Sequence, residues 1–367
     1  MEAMAINSIF YSHIQGFFIS FLLAIAIVPL VRYYSIKKGF VDIPNDRKIH
    51  KYPIPRLGGV AIWLCTLLTF AILVLLSWDY PHGNGLSGIL VGGSIIFLLG
   101  LVDDIYNLSP KFKLFIQVGA ALVAFLLGVK IEFLSNPFGT PIILGMLSLP
   151  ITLLWIVGIS NAMNFIDGVD GLAGGVSVIS AVTLGVVAIY THQPISALVA
   201  AILAGSMMGF LLFNFHPAKI FMGDSGALFA GFTLAALSVT GVLKTVAVTM
   251  LLPIMILAVP ILDISYSILR RLSKRSNLFI ADADHIHHKL LRAGFSHNRT
   301  VMIFYLLCIA AGSIAIIFVG AYKLYFILVI AVLTIMLILS RLSKSSRLNE
   351  LQNNIINKND TPKNQDS

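Results

Sequence analysis

The sequence predicts an all-α, polytopic membrane protein with about eleven transmembrane helices and one small extracytoplasmic β-hairpin. Three observations predict it. Hydrophobic residues make up 58% of the 367 residues and charged residues only 11%, where a soluble globular domain carries about 25% charged residues. Apolar runs long enough to cross a bilayer, about 20 residues and fewer at the margin, recur along most of the chain. Lys and Arg concentrate in alternate loops between those runs.

The apolar runs fall at roughly 10–31, 58–77, 86–102, 112–130, 150–163, 172–190, 195–213, 226–241, 245–269, 301–320 and 322–340. The first has no Lys or Arg before it and is too long for the apolar region of a signal peptide, so it reads as a retained span. Ser109-Pro110 has the chemistry of an N-cap and first helical residue for the fourth. Residues 131–149 place Asn136-Pro137-Phe138-Gly139 between short apolar runs, a hairpin pattern. Pro253 and Pro260 should kink or break the ninth span. Cys65 and Cys308 sit inside apolar segments and read as packing residues, not as a disulfide or metal pair. One membrane domain is expected over 1–345. The Asn-, Lys- and Asp-rich tail over 346–367 is too polar to pack and is expected to be disordered.

With these spans, 22 of the 25 Lys and Arg lie on one side. That side should be cytoplasmic, which puts the N-terminus outside and the C-terminus inside. The net charge of +9 is mostly this topology signal. No nucleic-acid-binding motif accompanies it, so the expected partner is the bilayer and not nucleic acid.

The acidic residues converge on the same face. Of the 16 carboxylates, five sit at span ends in three separate inner loops: Asp103 and Asp104, Asp167 and Asp170, and Asp224. Asp170 and Asp224 stand where helix N-caps stand, a role worth about 1 kcal/mol. Asp103 and Asp104 resist that reading. They end a helix, where the dipole disfavours negative charge by about 0.3–1 kcal/mol, and they repel each other. A nearby cation would offset both terms. Oxygen-only clusters suit a hard cation, and Mg²⁺ is typically held by one or two carboxylates plus substrate phosphates. His285, His287 and His288 lack the second ligand pair of a zinc site and read either as a solvated, pH-sensitive cluster or as hydrogen-bond donors to phosphate or sugar. The first inner loop, 42–59, sets Arg47, Lys48, His50, Lys51 and Arg56 among three prolines. Topology alone needs the charges but not the fixed shape that prolines impose.

Five segments together resemble the polyprenyl-phosphate N-acetylhexosamine-1-phosphate transferases, the superfamily that includes the phospho-MurNAc-pentapeptide translocase. They are Pro-Arg-x-Gly-Gly (55–59), Val-Asp-Asp (102–104), Asn-x-x-Asn-Phe-x-Asp-Gly-x-Asp-Gly-Leu (161–172), Asn-Phe-x-Pro-Ala-x-x-Phe-Met-Gly-Asp-x-Gly (214–226) and His-x-His-His (285–288). The resemblance covers about residues 35–300. It implies transfer of a sugar 1-phosphate from a UDP-sugar to a polyprenyl phosphate, with UMP released and Mg²⁺ as cofactor, Mn²⁺ being a candidate substitute. It implies eleven or so helices around a cytoplasm-facing groove, in a bacterial cytoplasmic membrane enzyme with its site on the inner face. A homodimer is compatible with it.

Residue roles carry over by motif. Asp224 resembles the main Mg²⁺ ligand, with Asp104 supporting metal and substrate. Asp103 resembles the group that positions or deprotonates the lipid phosphate. Asn164, Asp167 and Asp170 resemble the nucleotide-binding stretch, with Asn214 nearby and Phe221 a candidate to stack on uracil. Lys111, Arg47, Lys48, His50 and Arg56 are candidate phosphate contacts, and His285, His287 and His288 resemble the family's histidine loop. Two departures matter. Ile105-Tyr106-Asn107 replaces a further acidic residue of the translocase branch, and Ile286 interrupts its three consecutive histidines. Both point to the N-acetylglucosamine branch and to UDP-GlcNAc as donor, ahead of UDP-MurNAc-pentapeptide or another UDP-N-acetylhexosamine. A CDP-alcohol phosphotransferase fits less well, because Val169-Asp170-Gly171 follows Asp167-Gly168 where that family has Ala-Arg. A cation-coupled transporter would place its carboxylates near the midplane, not at one face.

Overall fold

The computed structural model describes residues 2–43, 53–76, 85–134, 142–242, 251–273 and 285–319, with Phe326, Val329, Ile330 and Thr334 beyond them. Arg47, Lys48, His50, the Asn136–Gly139 turn, most of the eleventh predicted span and the 346–367 tail lie outside the described residues.

The elements in order are α1 (Glu2–Lys38), β1 (Val41–Asp42), β2 (Ile54–Pro55), α2 (Gly58–Leu75), α3 (Leu86–Tyr106), α4 (Pro110–Leu126), β3 (Phe133–Leu134), β4 (Ile142–Ile143), α5 (Ser148–Ile166), α6 (Leu172–Tyr190), α7 (Pro194–Asn214), α8 (Gly223–Leu237), α9 (Leu251–Ile256), α10 (Ala258–Ser273), α11 (Ile286–Arg292) and α12 (His297–Val319). Seven helical segments among the described residues are long and apolar enough to cross a membrane: Ser12–Lys38, Gly58–Leu75, Leu86–Tyr106, Gly145–Ile166, Leu172–Tyr190, Pro194–Asn214 and His297–Ile317. The chain is a multi-pass, helical membrane protein.

Helix α8 is the hub. Every residue from Ser225 to Leu237 is buried, and α3 and α5 make its most extensive contacts. On the other side of the bundle, α7 lies between α1 and α6. Close approach between these helices depends on small residues, because lipid gives helices no hydrophobic reason to associate. A Cβ at Gly100 of α3 would stand 2.4 Å from Ser225 Cα, and one at Gly231 of α8 would stand 2.7 Å from Ser160 Cα of α5. Many buried hydroxyls are satisfied within their own helices. Thr66 donates to the Ile62 carbonyl, Ser160 to Ile156 and Thr233 to Phe229, at 2.7–2.9 Å, as a medium without water requires.

Local expectations hold where local chemistry decides. Ser109 accepts from Phe112 N, and Pro110 opens α4. The ninth predicted span is two helices, α9 and α10, that break at Leu257. Pro260 has no N–H for the Ile256 carbonyl, and Ser180 of α6 donates to that carbonyl instead, at 3.4 Å. Strands β3 and β4 pair antiparallel with Phe133 opposite Ile143 and Leu134 opposite Ile142. A second antiparallel pair, not expected from the sequence, joins Val41 to Pro55 and Asp42 to Ile54. It closes the base of the proline-rich loop.

Candidate active site

The helix ends that carry the five motifs meet around the N-terminus of α8. Phe221 N donates to the Pro55 carbonyl at 2.7 Å, Gly58 N donates to the Phe221 carbonyl at 2.9 Å and Gly59 N to the Met222 carbonyl at 2.8 Å. The 55–59 loop thus runs against 221–222 backbone to backbone. Only glycine permits this. A Cβ on Gly59 would lie 2.2 Å from Gly226 N. Gly223 has φ +72°, and a Cβ there would meet the Arg56 carbonyl oxygen at 2.3 Å and Asp104 Oδ2 at 2.6 Å. The Pro-Arg-x-Gly-Gly and Met-Gly-Asp-x-Gly motifs are two halves of one joint. Arg56 is half-buried, with Nε enclosed and without a hydrogen-bond partner.

Asp104 completes that joint. Its Oδ1 accepts from Asp224 N at 2.8 Å, and its Oδ2 accepts from Ser225 N at 3.1 Å and Ser225 Oγ at 2.7 Å. An α8 amide end, with its partial positive charge, faces a carboxylate that the end of α3 disfavours. The two helix dipoles therefore settle the cost that the sequence assigned to a cation. This corrects the reading of Asp224 as an N-cap: Asp224 is inside α8, and Asp104 from another helix takes the capping role. It also leaves Asp104, expected as a metal ligand, with both oxygens engaged in holding Asp224 in place.

Asp103 and Asp224 face each other across one ammonium. Lys113 Nζ of α4 donates to Asp103 Oδ2 and to Asp224 Oδ2, each at 2.9 Å. Asp103 Oδ1 accepts from Leu108 N at 2.7 Å, and the Asn164 side chain lies beside Asp224. The sequence reading picked Lys111, which is exposed. The missed signal is helical phase. Gln117, Ala120, Ala121 and Ala124 form the buried stripe of α4, and Lys113, one turn before Gln117, continues it. Lys111 does not. Gln117 and Asn161 exchange amide hydrogen bonds at 2.7 and 3.2 Å, which fixes α4, and so Lys113, against α5.

Asp167 is the half-buried C-cap of α5. Burial first, and then the charges of Asp224, Asp104 and Asp170, push its carboxyl well above the ordinary carboxylate range. Asp170 does not cap α6; Gly171, at φ 77°, stands there. Instead Asp170 Oδ2 accepts from His216 Nδ1 at 2.8 Å and from Ala218 N at 3.1 Å. Burial alone would raise the Asp170 carboxyl, but the bond from His216 and the nearby His297 ring hold it below the ordinary range. Asn214 is buried and spans the same turn: its Oδ1 accepts from Gly171 N at 3.1 Å and its Nδ2 donates to the Ile220 carbonyl at 2.9 Å. Tyr305 of α12 donates to the Gly171 carbonyl at 2.6 Å. Phe221 is half-buried.

The histidine segment reaches the Asp-Gly turn. His285 Nδ1 donates to Asp263 Oδ2 at 2.8 Å, and Ile286 N donates to Asp263 Oδ1 at 2.8 Å. Asp263, fully buried in α10, thereby sets the start of α11. His285 stacks on Phe165 at 5.4 Å and on His287 at 5.6 Å. His287 is fully buried, and neither ring nitrogen has a hydrogen-bond partner. Burial, and then the adjacent His288, push its pKa down to about 3. A Cβ on Gly168 would lie 2.8 Å from His287 Nε2, so the glycine of Asp167-Gly168 makes room for this ring. His288 is half-buried, its ring 4.3 Å from that of His287.

The geometry gathers Asp103, Asp104, Lys113, Asn164, Asp167 and Asp224 in one cluster, with Asp170 and His285–His288 at its edge. Asp103 and Asp224 share the one Lys113 ammonium, and Asp167 adds a third carboxyl beside them, an oxygen-rich donor set that fits a hard divalent cation. The Glycosyl transferase family 4 model matches residues 86–242, a range that holds all of those cluster residues. Over 296 residues the chain is 42% identical to a Bacillus subtilis (strain 168) protein named "Probable undecaprenyl-phosphate N-acetylglucosaminyl 1-phosphate transferase", covering 80% of this chain and 81% of that one. It is 36% identical over 303 residues to the "Decaprenyl-phosphate N-acetylglucosaminephosphotransferase" of Mycobacterium tuberculosis (strain CDC 1551 / Oshkosh), covering 75% of each. It is 31% identical over 316 residues to the "Undecaprenyl-phosphate alpha-N-acetylglucosaminyl 1-phosphate transferase" of Escherichia coli (strain K12), covering 84% of this chain and 83% of that one. With five motifs interlocked around one helix end and relatives of this similarity across most of both chains, the protein belongs to the polyprenyl-phosphate N-acetylglucosamine-1-phosphate transferase family.

Proposed function

We propose that this protein transfers GlcNAc-1-phosphate from UDP-GlcNAc to undecaprenyl phosphate in a bacterial cytoplasmic membrane and releases UMP. A lipid phosphate oxygen attacks the β-phosphorus of the nucleotide sugar. The bond from that phosphorus to the bridging oxygen breaks, and UMP leaves with the electron pair. The observation that carries the reading is the Asp103–Lys113–Asp224 constellation: carboxylates in excess over one ammonium, at helix ends. Two anions must meet in this reaction, and phosphoryl transfer depends mainly on positioning and charge neutralisation.

In this reading Asp224 would hold Mg²⁺, with Asp103 and Asp167 within the same cluster and Asp104 fixing the backbone of Asp224. Bound there, Mg²⁺ would neutralise the diphosphate. Asp103 positions or deprotonates the lipid phosphate, Lys113 keeps Asp103 and Asp224 in register, and Asn164 orients Asp224. His288 and Arg56 are the described groups best suited to phosphate or sugar. With the eleven spans expected from the sequence, the N-terminus lies outside and the C-terminus and site inside, because most Lys and Arg then lie on the cytoplasmic side.

The test is UMP release from purified protein in detergent, with undecaprenyl phosphate and a panel of UDP-N-acetylhexosamines, with and without Mg²⁺. UMP release with UDP-GlcNAc that requires Mg²⁺ and is lost in Asp224→Ala is expected. No release with any donor overturns the enzyme reading, and full activity in Asp224→Ala overturns the metal assignment alone.

A further inference from the structure

Helix α12 lies outside the Glycosyl transferase family 4 match, residues 86–242, yet one of its side chains reaches the turn before α6. Tyr305 is fully buried, and its hydroxyl donates to the Gly171 carbonyl at 2.6 Å. That carbonyl already accepts from Gly175 N at 2.9 Å, the opening bond of α6. It therefore needs no second donor to be satisfied. A phenylalanine would fill the same space without a buried hydroxyl, which costs free energy unless it is bonded. Room for the ring is made on the facing helix, where a Cβ on Gly175 would overlap Tyr305 Cζ and Oη. Gly171 is held from its other side as well. Its N–H donates to Asn214 Oδ1 at 3.1 Å, and Asn214 Nδ2 is anchored on the Ile220 carbonyl at 2.9 Å. Both polar groups of this left-handed residue, φ 77°, are thus clamped by side chains from two other helices, α7 and α12. Asp170 is the residue just before it.

We propose that Tyr305 is a positioning residue for the nucleotide end of the substrate: through Gly171 it fixes the backbone that carries Asp170. The inference rests on the reading of the chain as a UDP-sugar transferase whose Asp167–Asp170 stretch meets the nucleotide. Tyr305 acts through the backbone and need not touch the substrate. The hydroxyl adds one neutral hydrogen bond, and a bond of that kind corresponds to a factor of about five in an equilibrium constant. The effect should fall on the nucleotide sugar and spare the lipid phosphate. Asp103, Lys113 and Asp224, the groups assigned to the lipid phosphate and the metal, are carried by α3, α4 and α8 and tied to one another, not to the Gly171 turn.

The experiment measures UMP release by the purified full chain in detergent micelles, with UDP-GlcNAc and undecaprenyl phosphate varied separately. Wild type, Tyr305→Phe and Cys308→Ala are compared, and UMP binding to each is measured by calorimetry. Cys308 is buried one turn further along α12, so its alanine variant trims the packing of that helix and leaves the Tyr305 hydroxyl in place. Tyr305→Phe should raise KM for UDP-GlcNAc and Kd for UMP by about fivefold each, with KM for undecaprenyl phosphate unchanged. Cys308→Ala should leave all three as in wild type. Tyr305→Met, which fills the space but has no donor, is the substitute if the phenylalanine variant fails size-exclusion. An unchanged KM for UDP-GlcNAc in the Tyr305 variant of an active enzyme, or equal rises for both substrates, makes Tyr305 a packing residue and overturns this inference alone. A wild type that releases no UMP with any donor overturns the transferase reading and the inference with it.

Discussion

Replacing Lys113 by Met removes one ammonium and keeps most of the aliphatic stem. In the structure that ammonium makes two charge-assisted hydrogen bonds, to Asp103 and Asp224, both at 2.9 Å. Bonds to charged groups are worth about 1.5–3 kcal/mol each. The Lys113, Asp103 and Asp224 side chains keep 25%, 10% and 28% of their exposure, so water screens them in part and the low end applies. Two such bonds give about 3 kcal/mol, or about 10²-fold in rate if the whole of it is lost in the transition state. Lys111→Met removes an exposed charge on another face of α4 and should stay within about 0.5 kcal/mol. The assay is UMP release across an Mg²⁺ titration for both variants, with thermal unfolding of each to check folding. Lys113→Met should lose about 10²-fold in maximal rate, yet its half-saturating Mg²⁺ should not rise, because a cation that competes for the same oxygens is gone. Equal losses in the two variants, or a normal rate in Lys113→Met, would refute the geometric argument.

Three further outcomes follow from the same geometry. Asp104→Asn keeps one acceptor and loses at least one charge-assisted bond to the α8 end, about 1.5–3 kcal/mol; the unfolding temperature and the rate should both fall with half-saturating Mg²⁺ unchanged, and a raised Mg²⁺ requirement at normal stability would make Asp104 a metal ligand instead. Gly59→Ala puts a Cβ 2.2 Å from Gly226 N and should lower folded yield on size-exclusion, while Gly119→Ala, with nothing within 4 Å, should not. His287 has a folded pKa of about 3 against about 6.5 unfolded. The stability it contributes is therefore complete above pH 6.5 and is lost as pH falls toward 3, by about 1.4 kcal/mol at pH 5.5. Thermal unfolding from pH 7.5 to 5.5 should show a steeper loss in wild type than in His287→Gln, and parallel curves would remove His287 as the cause.

What the sequence shows of this molecule follows from which forces are local. The bilayer sets the length of apolar runs, so most spans are legible. Ser109-Pro110 and Pro260 act on their own helix, so the start of α4 and the break before α10 are legible too. Asp103, Asp104, Asp167 and Asp224 come together as the motifs imply, because all four stand at span ends on one side. Four features lie beyond what the sequence shows, each for a tertiary reason. Lys111 and Lys113 are two residues apart in composition but about 200° apart around a helix, and only the stripe through Gln117 says which one faces the bundle. Asp224 and Asp170 have the local chemistry of N-caps, but a carboxylate from another helix reaches the α8 amides first, and His216 draws Asp170 away from α6. The cation inferred from the Asp103-Asp104 pair was inferred partly for the wrong reason. Asp104 is met by the positive end of α8, so the argument for a metal rests on Asp103, Asp167 and Asp224, which outnumber Lys113. His216 and His297 carried no signal at all: one sits in a motif better known by its neighbours and the other opens a span, and only the fold brings their rings within 4.1 Å.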